Sequence, residues 1–119
     1  VVNEPLYRKD NYLLSGTAKE KQGAVFTLHH HLPLLQSVDK RLRFLLATQM
    51  LTMHELGHVF GLFTGVGAGS PGEEERKQAH CLNDCVMYWR ENYERNEKIK
   101  DRPFCQSCLE KLKQFFITP

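Results

Sequence analysis

No block of charge of one sign runs through this sequence. Its 16 basic and 14 acidic residues are interleaved and leave a formal charge of +2, which gives no support to nucleic acid or a membrane surface as a partner. No apolar stretch is clean enough to span a bilayer either: the most apolar run, Leu42 to Phe63, is broken by Arg43, Gln49, His54, Glu55 and His58. There is no secretory signal and no internal repeat. The lack of a signal points to the cytoplasm and to thiols kept reduced. The first residue is Val1 and not Met, so an amino-terminal segment is expected to have been removed or left out.

What is there suits one domain, residues 1–119, with 41% apolar and 25% charged residues. A chain of this length buries a modest core, so metal crosslinks would add useful stability. Residues 1–22 show no clear period and are expected to be irregular. Ala24 to His29 is β-prone and roughly alternating, and it ends near Pro33, as a strand at a sheet edge would. The three histidines His29, His30 and His31 would alternate faces there and so cannot converge on one ion. Ser37 or Asp39 can cap a long helix with Leu42, Leu45, Leu46, Met53, Leu56 and Phe60 at helical spacing, ending near Gly61. A glycine-rich stretch follows. Ser70-Pro71-Gly72-Glu73 then has the form of a capping box opening a short helix to Ala79. Arg90 to Arg102 is almost wholly polar, and a final amphipathic helix is expected around Leu109 to Phe116.

The chemistry concentrates in His54-Glu55-Leu56-Gly57-His58. Residues four apart share a helix face, so His54 and His58 can offer ring nitrogens to one ion from successive turns. Glu55 need not ligate, and can accept a proton from a water that zinc has made acidic, passing it to the leaving amine. The corresponding reaction is hydrolysis of an amide bond. Glycine inside a helix costs about 0.5–1 kcal/mol relative to alanine, so Gly57 implies close packing against the helix and Gly61 implies a turn that ends it.

Four cysteines fall in two pairs, Cys81 with Cys85 and Cys105 with Cys108, nineteen residues apart. Short spacing within each pair suits two thiolates on one tetrahedral zinc. Two disulfides are the alternative.

Taken together these residues resemble the archaemetzincins, small two-zinc members of the metzincin clan. The family pattern is His-Glu-x-x-His-x-x-Gly-x-x-His-Cys, four residues, Cys-x-Met, seventeen residues, then Cys-x-x-Cys. His54, Glu55, His58 and Gly61 match its first half; His80-Cys81, Cys85-Val86-Met87 and Cys105-Gln106-Ser107-Cys108 match the second. The resemblance implies an α+β, metzincin-like zinc-peptidase domain: a mixed sheet packed on a long active-site helix, with a carboxy-terminal zinc-bound helical subregion. It implies a catalytic zinc on His54, His58 and His80, with Glu55 as general base. It also implies a structural zinc on Cys81, Cys85, Cys105 and Cys108, and Met87 packed beneath the catalytic metal. The expected partner is a peptide or protein substrate, which could pair with the strand Ala24 to His29. Family members carry more sheet before this point, which is a second reason to expect amino-terminal truncation.

The chain departs from the pattern in two places. Thr64 stands where the family has its third histidine, and His80 comes only after a sixteen-residue insertion; the first cysteine pair is one residue closer than in the family. The longer link costs about 1.9 kcal/mol in closure entropy, several times less than structural zinc binding returns. Two other readings compete. One keeps the fold as a zinc-stabilised peptide-binding module without turnover, and the other takes a glutamate from Glu73 to Glu75 as third ligand. Tyr88 and Trp89, just after the methionine, could line a cleft, although core packing is the plainer role.

Overall fold

A computed structural model describes residues 4–7, 13–14, 16–19, 21–63, 73–89 and 92–117. The chain starts with short strands. Leu6–Tyr7 (β1) pairs antiparallel with Leu13–Leu14 (β2), and Gly16–Lys19 (β3) pairs antiparallel with Gly23–Phe26 (β4). The irregular opening expected from the sequence therefore holds three strands, each too short to show a period. The second ladder turns through Lys21, at φ 59°, and Gly23, at φ 149°. Among the described residues the strands form these two separate ladders, and the mixed sheet that the resemblance implies is not among them.

The strand expected over Ala24 to His29 stops at Phe26. A 3-10 helix, His29–Gln36, takes over and contains Pro33. Thr27, fully buried, donates from its Oγ1 to the Glu4 carbonyl and ties the amino-terminal segment to the end of β4.

The helix Val38–Val59 (α1) spans 22 residues. Ser37 caps it, its Oγ accepting the Lys40 amide at 3.3 Å, as a serine in extended conformation ahead of a helix does. At 1.5 Å per residue α1 runs about 33 Å, and it packs against the 3-10 helix, β3, β4 and the third helix. Its buried stripe is Leu46, Met50 and Gly57, beside Ala47. Leu42 and Leu45, expected on the core face, are 75% and 55% exposed. At 3.6 residues per turn they lie on the flank of the stripe, in line with exposed Val38 and Leu56. Among the described residues no helix is long and apolar enough to cross a membrane.

The end of α1 decides where the following chain goes. Phe60 is the last half-helical residue and Gly61 stands at φ 93°. The Leu62 amide donates to the Gly57 carbonyl at 2.9 Å and the Gly61 amide to the His58 carbonyl at 3.1 Å. These are the two bonds of a Schellman motif, which needs a left-handed residue where Gly61 stands. The Lys21 amide donates to the Val59 carbonyl at 2.8 Å, so the β3–β4 turn closes over the same end.

Three shorter helices follow: Glu73–Gln78 (α2), Tyr93–Ile99 (α3) and Gln106–Ile117 (α4). The expected capping box at Ser70 to Gly72 lies outside the described residues. The polar segment after Arg90 folds into α3, capped by Asn92, whose side chain accepts the Arg95 amide at 3.0 Å. Arg43 of α1 lies over the Tyr93 ring at 3.8 Å. Leu46, Met50, Leu62, Val86, Met87, Ile99 and the sulfurs of Cys81, Cys85 and Cys108 make one buried cluster. The core is thus built where α1, the 81–88 segment and α4 meet.

Replacing Gly61 by alanine forces a Cβ into the left-handed region, which costs about 1–3 kcal/mol for a non-glycine residue. Gly61→Ala should lower the free energy of unfolding by that amount, read as a lower urea midpoint with an unchanged slope of the transition. An unchanged midpoint would show that the turn relaxes out of this conformation.

Candidate metal centres

His54 and His58 sit on the last two turns of α1, and each ring is pinned through Nδ1 to a backbone carbonyl. His54 Nδ1 is 2.7 Å from the Val86 carbonyl and His58 Nδ1 is 2.8 Å from the Leu62 carbonyl. A carbonyl only accepts, so both Nδ1 atoms carry the proton and both Nε2 atoms present bare lone pairs. Those two Nε2 atoms stand 3.3 Å apart. No proton lies between them to make a hydrogen bond, and lone pair faces lone pair. A shared cation resolves the conflict: two nitrogens each about 2.0–2.1 Å from one zinc at the tetrahedral angle are about 3.3–3.4 Å apart.

His80 completes a triangle. Its ring centroid lies 5.1 Å from that of His54 and 5.1 Å from that of His58, which are 4.9 Å from each other. One ligand atom from each of the three lies within 4.8 Å of the others. Burial, then the neighbouring His58 and His80, push the His54 ring down to about 3 against the opposing bond to Val86; burial also lowers His58. Both rings are therefore neutral at physiological pH, the form that ligates a metal. The insertion does not displace His80 from the group. Of the rival glutamates, Glu74 is 79% exposed and pairs with Lys77 at 3.5 Å. The side chains of Glu73 and Glu75, and Thr64 entirely, lie outside those described.

Glu55 is only 5% exposed, and its Oε2 has no hydrogen-bond partner among the described residues. Burial pushes its carboxyl up to about 7. A buried carboxyl with an unused oxygen, one residue from a histidine able to ligate a metal, is suited to exchange a proton near neutral pH.

The methionine expected beneath the site is fully buried. It packs where Gly57 has no side chain: a Cβ on Gly57 would overlap Met87 Sδ, lie 3.0 Å from Met87 Cε and 3.3 Å from Leu62 Cδ1. The glycine cost in α1 therefore serves the close approach of Met87.

The second group joins Cys81, Cys85, Cys105 and Cys108, with one sulfur from each within 4.8 Å of the others. All four are unbonded thiols, and Cys81 Sγ lies 3.7 Å from Cys105 Sγ. A disulfide would bring two sulfurs to about 2.0 Å, whereas two thiolates about 2.3 Å from one tetrahedral zinc are about 3.8 Å apart. Backbone amides point at the sulfurs. Asn83 donates to Cys81 Sγ at 3.4 Å; Met87 and Cys105 donate to Cys85 Sγ at 3.5 and 3.4 Å. A hydrogen bond from Cys108 holds the Cys85 thiol down to about 5, while burial pushes Cys81 up to about 11 and the bond to Cys85 raises Cys108. Cys85 is the sulfur that takes negative charge, while Cys81 and Cys108 hold their protons; a divalent cation favours the thiolate form of its ligands.

The chain matches no family model, no curated protein and no solved structure. Two groups of side chains could hold metal ions, one of three histidines and one of four cysteines. Sequence reasoning named all seven of these residues and Glu55, but missed the backbone partners: the carbonyls of Val86 and Leu62, and the Asn83 amide. Backbone groups leave no residue signature, although the Gly61 turn was a pointer to Leu62. Tyr88, a candidate to line a cleft, packs under the Arg95 guanidinium at 3.6 Å.

Gly57→Ala tests the packing of Met87. In an open helix the change would stabilise by about 1 kcal/mol; here overpacking should destabilise by about 1–3 kcal/mol. The double variant with Met87→Ala should show a coupling of opposite sign in a denaturation cycle. Net stabilisation by Gly57→Ala alone would remove the methionine from beneath the helix.

Proposed function

We propose that this protein is a zinc-dependent metallopeptidase of archaemetzincin type, with a metzincin-like α+β fold. In this reading His54, His58 and His80 hold the catalytic zinc and Cys81, Cys85, Cys105 and Cys108 a structural one. The observation that carries the proposal is the 3.3 Å approach of two unprotonated Nε2 atoms, closed into a triangle by His80, with Glu55 next to His54 in the chain. A purely structural site gains nothing from a buried carboxyl with a spare oxygen beside its ligands, and that favours hydrolysis over a binding role.

Zinc, when bound, supplies Lewis acidity toward a peptide carbonyl and makes a water acidic near neutral pH. The other roles belong to the protein. The Val86 and Leu62 carbonyls fix the rings of His54 and His58 in the ligating tautomer. Glu55, as the carboxylate, would take the water's proton and deliver it to the departing amine, so that the carboxylate is restored after each turnover. Met87 and Gly57 set the distance between α1 and the segment that bears Val86.

Glu55→Gln should leave two zinc ions per chain and an unchanged circular dichroism spectrum while lowering cleavage of a broad peptide library by about 10²–10⁴-fold. Equal cleavage by wild type and Glu55→Gln would reject the mechanism.

His80→Ala should lose one of the two zinc ions by elemental analysis and keep the other, whereas Glu74→Ala should keep both. A His80→Ala chain that still holds two tightly bound ions would transfer the third-ligand role elsewhere.

A further inference from the structure

The residues that complete the histidine group do not belong to α1. They lie on the segment 80–88, which is shaped by the cysteines: His80 immediately precedes Cys81, and Val86 and Met87 immediately follow Cys85. This segment has no helix and no strand; its order comes from an isolated parallel bridge between Cys81 and Tyr88 and from a few bonds to itself. The Cys81 amide donates to the Met87 carbonyl at 2.9 Å and the Tyr88 amide to the Cys85 carbonyl at 3.1 Å. One of its ties to the rest of the chain runs through the same sulfurs, because Cys105 stands just before α4 and Cys108 in its first turn, and another is the seat of Met87 against Gly57. The Val86 amide donates to the Pro103 carbonyl at 2.7 Å, two residues before Cys105. Asp84 reaches Lys98 and Arg95 on α3; its pair with Lys98 is exposed and holds little, and Arg95 Nε stands at 4.0 Å.

We infer that an ion on the four cysteines is the positioning device for the histidine centre: it sets where His80 and the Val86 carbonyl stand, so the two metal sites bind cooperatively. This inference rests on the two-ion reading above and adds a coupling that the reading does not require. Four thiolates draw together only when a cation balances their charge. Without that cation the segment loses part of its link to α4, and His80 and the acceptor of the His54 Nδ1 are set less closely, even with Met87 still seated against Gly57. The partner that orients a ligating imidazole contributes about 10–100-fold to metal affinity. Linkage makes the effect reciprocal: whatever factor the cysteine ion gives the histidine site, the histidine ion returns.

The experiment uses the full chain and Co²⁺, whose sulfur and nitrogen sites differ in absorption spectrum. Cys105 is the cysteine to change, because it alone of the four is not buried. Cys105→Ala should abolish the sulfur-to-cobalt band and weaken Co²⁺ at the histidines by about 10–100-fold, while the circular dichroism of the helices persists. Cys105→His, which rebuilds a three-cysteine, one-histidine site, should restore both. The reverse cycle leaves every cysteine in place: His58→Ala should weaken cobalt at the sulfurs by the same factor as Cys105→Ala weakens it at the histidines. That arm decides the matter if Cys105→Ala does not fold. Wild-type histidine affinity in a folded Cys105→Ala chain, or an unchanged sulfur site in His58→Ala, overturns the coupling alone. A wild-type chain that takes no Co²⁺ at its histidines overturns the coupling and the two-ion reading together.

Discussion

Two hydrogen bonds from imidazole to backbone govern the arrangement of this molecule. His54 gives its Nδ1 proton to the Val86 carbonyl and His58 gives its own to the Leu62 carbonyl. Because each ring has one proton when neutral, those bonds commit both Nε2 atoms to the role of bare acceptors. Two such acceptors at 3.3 Å repel each other. The protein tolerates the repulsion because the rings are set on a rigid helix and the carbonyls on turns that are themselves locked. One lock is the Schellman turn around Gly61, and the other is the close seat of Met87 against Gly57.

These locks explain why a short stretch of α1 does so much. Between Gly57 and Leu62 the chain omits a side chain for Met87, accepts the Leu62 amide on the Gly57 carbonyl, and returns the Leu62 carbonyl to His58. The amino-terminal half of the same helix bears no such demands. There Val38, Leu42 and Leu45 face solvent while Leu46 and Ala47 are buried.

How much of this could be read in advance depended on the kind of signal. Side chains that must sit at fixed spacing to do chemistry announce themselves, and so the histidines, Glu55 and the two cysteine pairs were visible as residues. Glycines that pay a conformational cost were visible for the same reason: Gly57 and Gly61 needed explanations, and the structure provides them at those positions. Elements with weak local signals were hidden. The strands β1 and β2 have two residues each, too few for alternation to be seen. Helix α3 buries only Asn96 and Ile99, so no apolar stripe marks it. Leu42 and Leu45 misled because helical spacing fixes which residues share a face, and leaves open which face is inward. The 3-10 helix from His29 displaced the end of the expected strand, since Pro33 and its neighbours curl sooner than β-propensity suggests.

The backbone amides around the cysteines carry one more consequence. A thiolate that accepts N–H bonds has part of its electron density already engaged, and Cys85 accepts two such bonds. Sulfur in that condition is a poor attacking group toward disulfides, because nucleophilicity falls as the thiolate is stabilised. The cluster is thus chemically quiet as well as enclosed, with three of its four sulfurs on buried residues. A cell rich in small thiols and mixed disulfides would find little there to exchange with.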